Sequence, residues 1–263
     1  MPTKPVVLAL SGHDPSGAAG VQADIEALAH TGCHCISVIT SLTAQNTAEF
    51  RSVTPQEPAR FREQLNMLTG DITVDACKIG LIGSIELVEI IGDYLASAQF
   101  PVVLDPILGA GVGADLSTPG LVQAMTECLF PHTGVITPNL EEAQTLTGRS
   151  ETEQALHGLL DLGCETALIT AADQAGEQVV NTWISATREI HSYRWDRLPG
   201  SYHGSGCTLS ACLAGRLALG DPVLTAVEKA QEYTWQSLKN AHRLGKSQLH
   251  PGRLTRMSRQ VMR

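Results

Sequence analysis

Short continuous apolar runs recur along the 263 residues, and most are followed by a stretch with helical spacing. The runs are Val6 to Leu10, Ile36 to Ile39, Ala76 to Ile79, Val102 to Leu104, Val135 to Ile136 and Ala167 to Thr170. Runs this short predict buried strands. Between them lie predicted helices: Val21 to His30, with Val21, Ile25, Leu28 and Ala29 at helical spacing, then Pro55 to Leu68, Ile85 to Leu95 and Leu121 to Leu129. Leu209 to Leu219 and Pro222 to Leu238 add two more. A strand-helix alternation of this kind restricts the chain to an α/β fold. Gln178 to Ile184 and Glu189 to Trp195 alternate in polarity and predict an antiparallel pair at one edge of the sheet. With no repeat, low-complexity stretch or linker, residues 1–263 read as a single domain.

Gly204-Ser-Gly-Cys-Thr-Leu-Ser210 runs straight into the small-residue helix Leu209 to Leu219. A helix start exposes backbone N–H groups and the positive end of the macrodipole, so Gly204, Ser205 and Gly206 can form an anion cradle. Within it, Cys207 is expected to have a stabilised thiolate and to serve as base or nucleophile. An ordinary helix N-terminus, with Cys207 filling a small hole, fits the same letters.

Other candidates sit where predicted strands end. Ser11 to Gly20 is poor in large side chains and lets backbone approach a ligand; Asp24 follows in the expected first turn of the next helix, as a dipole partner or a site residue. Ser41 to Thr47 reads as a polar loop whose Gln45 can meet the edge of a heterocycle or simply face solvent. Asp105 ends a short apolar strand, where ligand groups gather in α/β sheets. Gly109 to Gly113 lacks the spacing of a dinucleotide loop, and Gly245-Lys-Ser247 lacks the upstream glycine and strand of a P-loop. Asn139 and Glu142, three apart at a helix start, can hold Mg2+ through water or form a capping box.

A net charge of −9 argues against nucleic acid or anionic membrane as the main partner. The arginines at 253, 256, 259 and 263 are spaced to share a solvated helix face. Seven scattered cysteines, without a CxxC pair, read as reduced thiols. No apolar run is long enough to span a bilayer and no leader pattern opens the chain, so a cytoplasmic protein is expected.

The segments LSGHDPSGAAGVQADIEAL (Leu10 to Leu28), VITSLTAQNT (Val38 to Thr47), KIGLIGS (Lys78 to Ser84), VVLDP (Val102 to Pro106), ITPNLEEA (Ile136 to Ala143) and HGSGCTLSA (His203 to Ala211) resemble, in order, the hydroxymethylpyrimidine/phosphomethylpyrimidine kinases. The resemblance implies a ribokinase-like fold with a central, mostly parallel sheet flanked by helices. It also implies a homodimer and ATP-dependent phosphorylation of 4-amino-5-hydroxymethyl-2-methylpyrimidine and then of its monophosphate, in thiamine biosynthesis. On it, Gly12, Asp24, Gln45 and Leu81 match pyrimidine-contacting positions, and Asn139 and Glu142 match the Mg-ATP motif, with Asp105 placed on the cofactor side. Gly204 to Gly206 match the anion hole and Cys207 the base. Thr170 to Gln174 departs from the family by lacking a lysine expected near the phosphates; Lys246, in a similar GK segment, can supply that charge or be an ordinary exposed lysine. A pyridoxal or pyridoxine kinase, or a pyrimidine-binding regulatory protein without catalysis, remains the alternative.

Overall fold

A computed structural model describes residues 4–110, 114–115, 118–172 and 174–254. β1 (Val6–His13), β2 (His34–Gln45), β4 (Ala76–Ile79), β5 (Val102–Leu104), β8 (Val135–Ile136) and β9 (Thr166–Ile169) form the parallel body of a nine-stranded sheet. β3 (Phe50–Pro55) runs antiparallel on one edge, beside β2; β10 (Gln178–Ile184) and β11 (Ile190–Asp196) run antiparallel on the other. A separate two-stranded ribbon joins β6 (Gly109–Ala110) to β7 (Ala114–Asp115).

The apolar runs are continuous because the sheet is covered on both faces, so successive residues enter opposite cores. Leu8, Cys77, Leu104 and Ile136 point into one core, while their neighbours Val7, Ala76, Val103 and Val135 point into the other. The first core lies under α2 (Pro58–Asp71), α3 (Ile85–Leu95), α4 (Pro119–Cys128), α5 (Leu140–Thr147) and α6 (Thr152–Asp161), through side chains such as Phe61, Leu87, Met125, Leu146 and Leu156. The second lies under α1 (Gly20–Thr31), α7 (Ser205–Ala218) and α8 (Val223–Lys239), through Leu28, Leu213 and Val227. Each fully buried Leu or Phe contributes roughly 1.5–3 kcal/mol of apolar transfer.

Three expectations change. Both sheet edges are antiparallel, because Ser41 to Gln45 is not a loop: it is the outer half of β2 and pairs with β3, Leu42 opposite Thr54 and Thr43 opposite Val53. Its polar letters reflect a hairpin arm at the sheet's edge, with one side wet. α1 buries Val21, Ala23, Asp24, Ala27 and Leu28 rather than the face containing Ile25, which is 46% exposed. Arg253 is buried, not solvated, and the arginines at 256, 259 and 263 lie outside the described residues.

Candidate active site

The carboxyl ends of the parallel strands open into one cleft of about 270 Å³. Ser11 to Asp14 enter it from β1, Lys78 from β4, Asp105 from just beyond β5, and Thr137, Asn139 and Thr170 from beyond β8 and β9. The N-terminus of α7 closes one wall with Gly204, Ser205, Gly206 and Cys207.

α7 begins where it does because Gly204 takes a left-handed φ of 83°, and a Cβ there would collide with the Ala18 carbonyl oxygen. The first helical bond is Thr208 N–H to the Gly204 carbonyl at 3.0 Å, which leaves the amides of residues 205–207 without helical acceptors. Gly20 (φ 62°) is equally fixed, since a Cβ would strike the Gly12 carbonyl oxygen. Two glycines thus let the β1 loop and the α7 start meet backbone to backbone.

Cys207 lines this cradle but is only 6% exposed. The Gly20 N–H and the Lys78 ammonium favour its thiolate, while the Asp105 and Asp24 carboxylates oppose it. The expected thiolate stabilisation is reversed: burial, aided by the Asp105 and Asp24 carboxylates, outweighs Lys78 and pushes the thiol up to about 11. Asp105, 4% exposed, is pushed up to about 6 by burial, against the pull of Lys78; the Ser210 hydroxyl donates to its Oδ2 at 3.3 Å.

Asp24 is placed differently from its expected role. It sits beyond the first turn of α1, fully buried, with Oδ1 2.9 Å from Lys78 Nζ, and it does not line the cleft. Lys78 does line it, and also donates to Ser11 Oγ at 3.1 Å. Burial opposes the Lys78 charge, but Asp24, Cys207 and Asp105 around it raise its pKa above the usual lysine range. Asp24 therefore holds the cation that faces the cleft, rather than facing the cleft itself.

At the other end of this wall, Gly12, Gln45 and Leu81 line the cleft together, as do Thr43 and Phe50 from the hairpin. A Cβ on Gly12 would sit 3.2 Å from Leu81 Cδ2 and 3.0 Å from Ser41 Oγ, so a side chain there would crowd this floor. The Gln45 amide is aimed by its donation to Thr43 Oγ1 (2.8 Å), which in turn donates to the His13 carbonyl (2.9 Å).

Asn139 and Glu142 also line the cleft, and both form the capping box of α5: Glu142 N–H donates to Asn139 Oδ1 at 2.8 Å and Asn139 N–H to Glu142 Oε2 at 2.9 Å. Glu142 Oε1 takes the Leu108 N–H at 3.2 Å. Among the described residues no group of three His, Cys, Asp or Glu side chains could cage a metal. One carboxylate at a cleft suits Mg2+, which keeps several waters and is carried largely by phosphate. Lys246 is exposed and outside the cleft lining; its N–H donates to Thr47 Oγ1, because the Gly245 turn packs on the hairpin's end.

The sequence pattern of phosphomethylpyrimidine kinases matches residues 14–251. The chain belongs to the phosphomethylpyrimidine kinase family. It is 33% identical over 249 residues to the hydroxymethylpyrimidine/phosphomethylpyrimidine kinase of Haemophilus influenzae, covering 91% of this chain and 93% of that one. The thiamine biosynthetic bifunctional enzyme of Arabidopsis thaliana is 34% identical, over 89% of this chain and 46% of its own length. In fold, the chain is similar to the pyridoxal kinase of Staphylococcus aureus solved with AMP-PCP and pyridoxal, with a TM-score of 0.89 at 24% identity, covering 97% and 96% of the two chains. The fold is ribokinase-like, and this family member is a phosphotransferase.

Several residues of this kinase site escaped the sequence reading. Lys78 carried a usable signal: a lysine inside the strand Ala-Cys-Lys-Ile must be buried and therefore paired. Asp14 ties the β1 loop to the cradle, accepting from Ser16, from the Ala19 N–H at 2.8 Å and lying 3.2 Å from His203 Nε2. Burial works against its charge, but these partners hold it well below the usual carboxylate range. Arg253 donates to the Ala18 carbonyl, to Thr208 Oγ1 (2.8 Å) and to Glu26 (3.0 Å), locking loop, α7 and α1 together. Arg197 donates to the carbonyls of Ala172 (2.8 Å), Gln174 and Gly176 (2.7 Å). Neither arginine stands in a local pattern that marks it.

Proposed function

We propose that this chain phosphorylates the hydroxymethyl group of 4-amino-5-hydroxymethyl-2-methylpyrimidine with ATP, and then the resulting monophosphate, for thiamine biosynthesis. The observation that carries the reading is that the glycine cradle with Cys207 opens into the same cleft as Gly12, Gln45 and Leu81. Gly12 and Leu81 give a flat apolar floor for a heterocycle, and Gln45 reads its edge. The amides of 205–207 hold the transferred phosphoryl group, where fixed donors stabilise developing charge. Lys78 keeps a positive charge beside the reacting groups, supported from behind by Asp24. Cys207 takes the proton of the attacking hydroxyl. ATP would supply the phosphoryl group, and Mg2+, held by Asn139 and Glu142, would neutralise its oxygens.

Residues 1–263 act as one kinase unit in this reading. Seven free thiols suit a reducing cytoplasm, and among the described residues no helix is long and apolar enough to cross a membrane. The open edge of β3, with Leu42 46% exposed beside it, supports a homodimer, which sedimentation velocity will test.

The deciding experiment incubates the protein with Mg-ATP and either the pyrimidine or pyridoxal and follows product mass. Additions of one and then two phosphates to the pyrimidine are expected. Phosphorylation of pyridoxal alone would replace this reading with the pyridoxal kinase one, and no transfer to either would favour a binding protein.

A further inference from the structure

Arg253 is a buried arginine that the reaction above leaves without a task, and it does not line the cleft. It stands directly behind two backbone segments that do. Its Nη2 donates to the Ala18 carbonyl, one residue before Ala19 and Gly20 reach the cleft, and its Nε donates to Thr208 Oγ1 at 2.8 Å, one residue after Cys207. Thr208 passes this hold to the start of α7: its hydroxyl donates to the Gly204 carbonyl at 2.7 Å, where its own N–H also donates at 3.0 Å. The same guanidinium packs on Gly204, since a Cβ there would lie 2.9 Å from Nη2. Nη1 meets Glu26 at 3.0 Å, so all three nitrogens of the fork are used.

The arginine is itself held in place. The Tyr233 hydroxyl donates to the Arg253 carbonyl at 3.1 Å, and the Gly252 N–H donates to the Ser237 carbonyl at 2.8 Å, both from α8. Upstream, the Leu249 N–H donates to the Ser201 carbonyl at 2.8 Å and the His203 N–H to the Leu249 carbonyl at 3.0 Å, just before Gly204. We propose, on the kinase reading above, that Arg253 is a positioning residue for phosphoryl transfer. By bridging the Ala18 carbonyl and Thr208 it sets the gap between the β1 loop and the start of α7, and with it the aim of the 205–207 amides at the transferred group. It touches no reactant and acts through Thr208 and Gly204. A planar fork serves acceptors in fixed directions from one side chain, which the single nitrogen of a lysine cannot do. Gln45 is aimed separately, by Thr43. Loss of the bridge should therefore slow transfer and spare pyrimidine binding.

The test compares folded parent, Arg253→Ala and Arg253→Lys by single-turnover transfer at saturating Mg-ATP and pyrimidine. Arg253→Ala should lose on the order of 10²-fold in rate, the size expected when reacting groups are misaligned, while its calorimetric affinity for the pyrimidine stays parental. Arg253→Lys keeps the charge but not the fork and should remain slow. Free guanidinium at millimolar concentration should enter the space left in Arg253→Ala and restore a saturable part of the rate, which methylammonium should not. A merely structural role would give the opposite response, since guanidinium weakens a destabilised fold further.

A parental rate in Arg253→Ala or Arg253→Lys would overturn the proposal. So would a weakened pyrimidine affinity that accounts for the loss, or no rescue by guanidinium. Should Arg253→Ala fail to fold, Thr208→Val removes the hydroxyl that Nε holds while keeping its shape, and must show the same slow transfer with parental affinity; a parental rate there overturns the proposal too. Hydrogen exchange needs neither ATP nor pyrimidine: peptides covering residues 18–20 and the first turns of α7 should exchange faster in Arg253→Ala than in the parent, and slow again with guanidinium. A parent that transfers phosphate to nothing defeats the kinase reading, and with it the task given to Arg253. Unchanged exchange beside an active parent defeats the bridge alone.

Discussion

Asp24, Lys78, Asp105 and Arg253 at the cradle end of the cleft are each less than 5% exposed, and each is tied to other polar side chains. At the Thr170 to Ala172 end, the main polar ties run from the half-buried Arg197 to backbone carbonyls. The first arrangement holds charges that cannot relax toward water, so its field is fixed before any ligand arrives. The second fixes the path of the chain while contributing no buried charge to the cleft. The division matches the proposed chemistry. Proton and phosphoryl transfer need rigid electrostatics, whereas a nucleotide brings its own charge and metal.

The largest expected effect is at the cradle. Cys207→Ser should bind ATP and the pyrimidine near normally yet lose about 10²- to 10⁴-fold in single-turnover rate; a parental rate would erase the contrast by making Cys207 a packing residue. Next, Lys78→Met should cost about 3–5 kcal/mol in urea unfolding, because it strands Asp24 in the core. Combining it with Asp24→Leu should recover most of that stability without recovering turnover, which separates the cation's structural role from its catalytic one. Gln45→Ala should weaken pyrimidine binding by about 1–3 kcal/mol in calorimetry and leave ATP binding unchanged.

The loop end should respond less. Asn139→Ala and Glu142→Ala should lower stability by about 0.5–2 kcal/mol through the lost cap and also raise the Mg2+ needed for half-maximal rate. A stability loss with an unchanged metal requirement would reduce the pair to a cap. Lys246→Ala should change stability by no more than about 0.5 kcal/mol and leave the KM for ATP unaltered; a raised KM would return that lysine to the phosphates.

The sequence made the parallel strands legible because burial on both faces leaves uninterrupted apolar runs: Ala76–Ile79, Val102–Leu104 and Val135–Ile136 are found where the letters place them. It hid the β2–β3 hairpin, in which Leu42 to Gln45 and all of β3 are exposed or half-buried and whose composition is that of a loop. In the site, glycine and cysteine spacing exposed the cradle, and strand ends exposed Asp105. Electrostatics were less accessible. The thiol of Cys207 rises rather than falls because the helix start is buried beside two carboxylates, and neither burial nor those neighbours is a local property. Asp24 looked like a helix-start acid until Lys78, 54 residues away, arrived beside it.

The Arg253 lock joins residues 235 positions apart in the chain. Closing a loop of that length costs about 5 kcal/mol of chain entropy before any contact rewards it, so the lock belongs to the last stage of assembly rather than to the nucleus. During synthesis the sheet and both cores can form while Ala18 and Thr208 still await their arginine. Phosphotransfer competence should therefore lag behind the burial of tryptophan and the gain of secondary structure in refolding, so that the chain becomes a protein before it becomes an enzyme.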